Sequence, residues 1–285
     1  MVISCSRRTD IPAFYSEWFV NRIREGFVQV RNPMNARQVR KVSLLSPDVD
    51  CIVFWTKNPA PLIDKLPLLR DFQYYFQFTL TPYGRDIEQN LPPKTEVIDT
   101  FLALSRKIGR ERIIWRYDPI LLSPSVSIDY HLRHFADLAQ LLSGYTDKCV
   151  ISFLDMYRHL QSKSAGLSIR PPDEAQMRTL AENIARIAAA HHIKVETCAE
   201  KIDLADFGIE HGKCVDDRLI ARLTGRNLKI EKDKHQRELC GCVTSCDIGE
   251  YNTCRHHCIY CYANVSQKKI EKNRLLHNNK SPLLC

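Results

Sequence analysis

The chain has 285 residues, 44% hydrophobic and 26% charged, the balance of a globular protein with one large domain or two small ones. No apolar run approaches the roughly 20 residues that cross a bilayer, and the opening residues Met1-Val2-Ile3-Ser4-Cys5-Ser6-Arg7-Arg8 lack the apolar core of a signal peptide. This argues against a membrane protein or a secreted disulfide scaffold and predicts a cytoplasmic location, where the 12 cysteines read as metal ligands or buried thiols. The net charge of +8 permits a polyanionic partner such as nucleic acid without requiring one.

In chain order, apolar runs at 2–5, 51–56, 74–80, 112–117, 149–153 and 194–197 predict strands. They are rich in Val, Ile, Phe and Tyr and barely alternate with polar residues, as strands buried on both faces do. Between them lie helix candidates. The first, 12–25, starts with Pro12, carries Phe14, Trp18, Phe19 and Ile23 on one side, and stops at Gly26. Others span 95–108, 131–142 and 173–190. Strand then helix, repeated, means parallel strands with crossover helices. Six such units predict an α/β fold over 1–197, a full or partial (β/α) TIM-like barrel. From residue 198 cysteines become dense: 198–262 holds eight of the 12. Residues 198–285 read as a cysteine-rich segment packed on the barrel mouth, ending in a solvated helix and a frayed tail.

In a parallel barrel the active site forms at the C-terminal strand ends. Here those ends are polar: Ser6-Arg7-Arg8-Thr9-Asp10, Thr56-Lys57, Thr79 with Glu88 beyond it, Arg116 with Asp118, Ser152 with Asp155, and Cys198 with Glu200. Any one could be a structural ion pair or a turn. Together they suit a polar, zwitterionic ligand.

The most specific signal is Cys254, Cys258 and Cys261, spaced C-x3-C-x2-C. Three thiolates on one loop can hold three irons of a [4Fe-4S] cubane and leave the fourth iron open to a ligand. The other reading is a zinc knuckle, but structural zinc takes four ligands, commonly as two close pairs. Cys198, Cys214, Cys240 and Cys242 form a second set, with Cys246 nearby. Their four thiols suit a second [4Fe-4S] cluster or a zinc ion with no open position. Cys5, Cys51 and Cys149 read as core thiols.

The cysteine loop, with Tyr260 before its last cysteine, resembles the signature of the radical S-adenosylmethionine (SAM) enzymes. Over nearly the whole length the chain resembles a bacterial family known only as a domain of unknown function, through Ser6–Pro12, Phe54–Pro59, Trp115–Pro119 and Cys254–Asn264. A more distant similarity is to spore-photoproduct-lyase-like enzymes, through Thr56-Lys57, Thr79 to Glu88 and Tyr260 to Ala263. The resemblance implies a [4Fe-4S] cluster that binds SAM and cleaves it reductively, fed by a reductant such as flavodoxin or ferredoxin. The substrate is unknown, and nucleic acid is one possibility. Site roles follow from residue type. Arg116, Arg7 or Arg8 would clamp a carboxylate. Asp10 or Glu88 would accept from an ammonium. Thr79 and Ser6 would bond hydroxyls or the carboxylate, Thr9 counts among the cofactor-binding residues, Tyr260 would meet the adenine, and Lys57 or Asp118 would bind substrate or transfer a proton. In that superfamily the cysteine loop follows the first strand, whereas here it follows the last, which implies a circular permutation. The competing expectation is a non-catalytic iron–sulfur or zinc protein that binds nucleic acid.

Overall fold

The computed structural model describes residues 1–285 apart from the side chains of residues 162 and 163. Its strands are β1 (Val2–Cys5), β2 (Phe27–Asn32), β3 (Asn35–Ser43), β4 (Cys51–Thr56), β5 (Tyr74–Thr79), β6 (Ile113–Ile120), β7 (Lys148–Phe153), β8 (Lys194–Thr197), β9 (Glu210–His211) and β10 (Cys246–Asp247). Its helices are α1 (Ile11–Phe14), α2 (Ser16–Glu25), α3 (Ala60–Ile63), α4 (Lys94–Ile108), α5 (Ile128–Leu142), α6 (Gln161–Ser164), α7 (Glu174–Ala190), α8 (Asp217–Thr224) and α9 (Gln267–Leu276). No described helix is long and apolar enough to cross a membrane.

Eight strands form one sheet in the order β10-β1-β4-β5-β6-β7-β8-β9, every neighbouring pair parallel. The α/β class follows the sequence expectation, but the sheet does not close into a barrel. Its edges are strands of two residues each. Its two faces are covered differently. Ile3, Ile52, Phe54, Phe76, Trp115 and Ile151 point into a core shared with α2, α4, α5 and α7. Their neighbours Val2, Cys51, Val53, Tyr75, Ile114 and Val150 point to the opposite face, as period-two alternation requires. There Cys214, Val215, Leu219, Ile220, Cys242 and Val243 cover them. The cysteine-rich segment therefore supplies both edge strands and fills a face that closure would have enclosed. Aromatic stacking orders the helix-side core: Phe54 on Phe76 at 4.7 Å and Trp115 on Phe135 at 4.8 Å. Burying each such ring stabilises by about 2–3 kcal/mol.

Three local features depart from the sequence reading. The helix expected over 12–25 is two helices, because Tyr15 leaves the helical region with φ −134°. β6 runs past Tyr117 through Asp118 and Pro119, with a register shift against β7 that accommodates the proline. The tail is packed, not frayed. Leu284 is buried, Trp18 Nε1 donates to the Ser281 carbonyl at 2.9 Å, and Arg31 donates to the Cys285 carbonyl at 2.9 Å.

Candidate functional site

The C-terminal strand ends open into one cavity of about 1200 Å³. Cys254, Cys258 and Cys261 line it, and so do Cys198, Cys214, Cys240 and Cys242. Ser6 to Asp10, Lys57, Thr79, Arg116, Asp118 and Tyr260 line the same space. Glu88 lies behind its wall. The two cysteine sets therefore share one chamber.

The cysteine loop is pinned at several places. Its stem closes on itself, with Asn252 N donating to the Ala263 carbonyl at 3.0 Å and Asn264 Nδ2 to the Cys254 carbonyl at 2.8 Å. Against residues 87–90 the loop forms a Glu88–Cys258 bridge, an Ile259 N to Ile87 carbonyl bond of 3.0 Å and an Asn90 N to His256 carbonyl bond of 3.0 Å. His256 Nε2 bonds Asp10 Oδ2 at 2.8 Å. Against the turn after β1, the segment 248–253 approaches so closely that a Cβ on Gly249 would collide with the Ser6 side chain and stand 3.0 Å from Thr9 Cγ2.

Several expected ligand contacts are already used by the protein. Asp10 accepts from Ala13 N, Thr56 Oγ1, Lys57 N and His256 Nε2, which fills both oxygens. Glu88, 1% exposed, accepts from Lys57 Nζ at 2.7 Å, Thr81 Oγ1 at 2.8 Å, Lys94 Nζ and the Tyr260 hydroxyl. Both carboxylates anchor the loop: Asp10 has both oxygens occupied, and Glu88 is buried among Lys57, Thr81, Lys94 and Tyr260. Burial alone would raise the Glu88 pKa, but Lys57 and then Lys94 hold it down to about 2. The Tyr260 hydroxyl is committed to Glu88, leaving its ring, which sits under Lys57 Nζ at 5.4 Å, to face the chamber.

Arg116 and Asp118 also pair with each other. Two guanidinium nitrogens bond Asp118 Oδ2, a third donates to Cys214 Sγ at 2.9 Å, and Ser152 donates to Asp118 Oδ1. Burial opposes the Arg116 charge, but Asp118 holds its pKa well above the ordinary value. Burial likewise opposes the Asp118 charge, and Arg116 with the Ser152 bond holds its pKa low. Lys57 is held charged by Glu88 against burial. Neither Lys57 nor Asp118 is poised near neutrality for proton transfer.

Unused donors remain on the turn after β1. Arg7 Nη2 and Thr9 Oγ1 are buried and make no hydrogen bond among the described residues. Arg7 lies over the Trp55 ring at 4.9 Å. Arg8 donates to the Gly249 carbonyl at 3.4 Å. Ser6 Oγ donates to Asp247 Oδ1 at 2.6 Å. Asp247 collects Ser4, Arg7 N and Gly249 N as well, so this edge-strand carboxylate organises the turn.

Residue type and spacing do not single out His256, although it lies inside the cysteine loop, or Asp247 and Trp55. Glu200 stands out in the sequence only as part of a polar strand end. Burial raises the Glu200 carboxyl to about 7, with Asp155 and Asp118 adding to the shift against the bond from Phe153 N, which makes it a titratable group near neutrality beside the chamber.

Among the described residues no three His, Cys, Asp or Glu side chains converge closely enough to share one metal ion. A cubane places each thiolate on a separate iron, so its cysteines stand farther apart than the ligands of a single ion.

A family model described as "Domain of unknown function (DUF1848)" matches residues 2–263. No functionally curated protein matches significantly. A solved structure of a candidate alpha-L-fucosidase from Bacteroides thetaiotaomicron is similar at 14% identity and a TM-score of 0.28, over 64% of this chain and 73% of that one.

Proposed function

The chain belongs to the DUF1848 family, and we propose that it is a radical SAM enzyme whose [4Fe-4S] cluster is held by Cys254, Cys258 and Cys261. The observation that carries this reading is that these three cysteines line one chamber with the Ser6-to-Asp10 turn. The donor set fits a cubane with one open iron, since the loop has three thiols and is pinned at both flanks. A cluster held there would supply one electron, drawn from a donor such as flavodoxin or ferredoxin, for reductive cleavage of SAM to methionine and a 5′-deoxyadenosyl radical.

The protein's own part is binding and orientation. Arg7 Nη2 and Thr9 Oγ1, buried without partners, are the donors available for the carboxylate and hydroxyls of SAM. Thr79 on the facing strand end adds a third polar group. Asp10 and Glu88 hold the loop, and through it the cysteines, in place. The open sheet supports a permuted arrangement. β10 lies parallel to β1 with Ser4 opposite Asp247, so in space the cysteine loop leaves the strand at the sheet's edge, as it would leave a first strand. On this reading the sheet is a partial TIM-like barrel of radical SAM type.

The test is anaerobic reconstitution with iron and sulfide, reduction with dithionite, and assay of 5′-deoxyadenosine from SAM. A cluster that forms but never cleaves SAM, with or without candidate substrates, refutes the reading.

One observation favours the second reading, a non-catalytic nucleic-acid binder. The hairpin of β2 and β3 exposes all of residues 35–41, including Arg37, Arg40 and Lys41, and its Arg31, Met34 and Arg40 border the chamber. That reading predicts steeply salt-dependent binding to DNA or RNA and no affinity for SAM. Salt-dependent binding together with SAM cleavage would make nucleic acid the substrate.

A further inference from the structure

We infer that Cys198, Cys214, Cys240 and Cys242 hold a second metal centre, an iron–sulfur cluster or a zinc ion, facing the same chamber as the cysteine loop. The inference stands apart from the SAM reading, because it uses none of the loop's residues. Cys198 Sγ lies 3.2 Å from Cys214 Sγ. Cys214 N donates to Cys242 Sγ at 3.2 Å, and Cys240 and Cys242, separated by Gly241 alone, border the same chamber. All four are free thiols.

The surroundings suit anionic sulfur. Arg116 Nη1 donates to Cys214 Sγ at 2.9 Å, and two backbone amides, Cys214 N and Val215 N, donate to Cys242 Sγ at 3.2 and 3.4 Å. N–H groups aimed at sulfur favour the thiolate, which is the form that binds metal.

The backbone is shaped to bring these residues together. The Cys214 carbonyl accepts from Tyr75 at 2.7 Å and from Gln77 at 3.0 Å, both on the covered face of β5. A Cβ on Gly212 would lie 2.9 Å from Glu196 Cβ and 3.1 Å from the Thr197 carbonyl. Only glycine lets that segment lie against β8, whose end carries Cys198. A Cβ on Gly241 would stand 3.1 Å from Lys213 Cγ, so the Cys240-Gly241-Cys242 turn also packs tightly on the segment leading to Cys214. Among the described residues no three of these thiols converge on one point, so metal uptake would have to draw the Cys240-Gly241-Cys242 turn inward. Four thiolates leave no open position, which separates this site from the three-cysteine loop.

The test measures iron, sulfide and zinc in anaerobically purified C254A/C258A/C261A protein. About four irons with sulfide, or about one zinc, per folded chain supports the second centre and identifies its metal. In the reciprocal C240A/C242A variant that metal should be lost while the loop's iron remains. A folded triple variant without metal overturns the inference, as does a C240A/C242A variant with unchanged metal content. If the triple variant does not fold, the reciprocal variant decides alone. SAM cleavage enters neither arm, so failure here is distinguishable from failure of the SAM reading.

Discussion

His256 Nε2 lies 2.8 Å from Asp10 Oδ2, joining the turn after β1 to a loop 246 residues later in the chain. The same Asp10 caps α1 through Ala13 N and fixes Thr56 and Lys57 N at the end of β4. One buried carboxylate therefore holds two strand ends and the cysteine loop in register.

Asp10→Asn turns one acceptor oxygen into a donor facing N–H groups and should cost roughly 2–3 kcal/mol. Urea denaturation measures this. With His256→Gln, a double-mutant cycle should give a coupling of about 1 kcal/mol or more. Strictly additive losses would remove the Asp10–His256 contact from the loop's support.

Arg7→Lys tests the ligand side of the turn. Because Nη2 has no protein partner, the melting temperature should stay close to that of the native chain. The affinity for SAM should fall about tenfold or more as a charged hydrogen bond is lost. Equilibrium binding to the reconstituted protein reads it, and unchanged affinity would move the SAM carboxylate elsewhere.

Gly249→Ala should open the seam between the turn and the loop, since its Cβ meets the Ser6 side chain and Thr9. Overpacking of this kind costs about 1–3 kcal/mol. Gly166→Ala, where nothing lies within 4 Å of the new Cβ, is the control and should be near neutral. Thermal melts of both variants check it.

A pH dependence follows from His131, buried between α5 and the sheet. Its Nε2 bonds the Leu121 carbonyl at 2.7 Å, so Nε2 carries the proton and Nδ1 accepts from the Tyr117 hydroxyl at 2.8 Å. Burial lowers its pKa to about 4. The unfolded chain, with an ordinary value near 6.5, binds the proton first as pH falls. The stability present above about pH 6.5 is therefore lost between there and pH 4, on the order of 3 kcal/mol in all. Denaturation of the metal-free protein across that range measures the slope, and His131→Gln should flatten it.

The parallel α/β class is legible in the amino-acid sequence, because apolar runs such as 51–56 and 149–153 can be buried only inside a sheet covered on both faces. The sequence also puts Cys254, Cys258 and Cys261 on one loop, since C-x3-C-x2-C spacing is a local property. It did not reveal the β2–β3 hairpin, whose exposed Arg37, Arg40 and Lys41 carry no core-facing alternation over residues 35–41. It did not reveal the break at Tyr15 either, because the apolar side continues across it. Tertiary structure alone decided which polar strand-end residues remain available. Asp10, Glu88, Arg116 and Asp118 look like ligand contacts from their types and positions, yet each is consumed by a partner. Three of those partners lie far away in the chain: His256, Tyr260 and Cys214. Arg7 and Thr9 keep free donors because the packing of Gly249 and Asp247 against their turn uses other atoms. A side chain's chemistry is local, but whether its hydrogen bonds are already made depends on contacts between residues up to 246 positions apart.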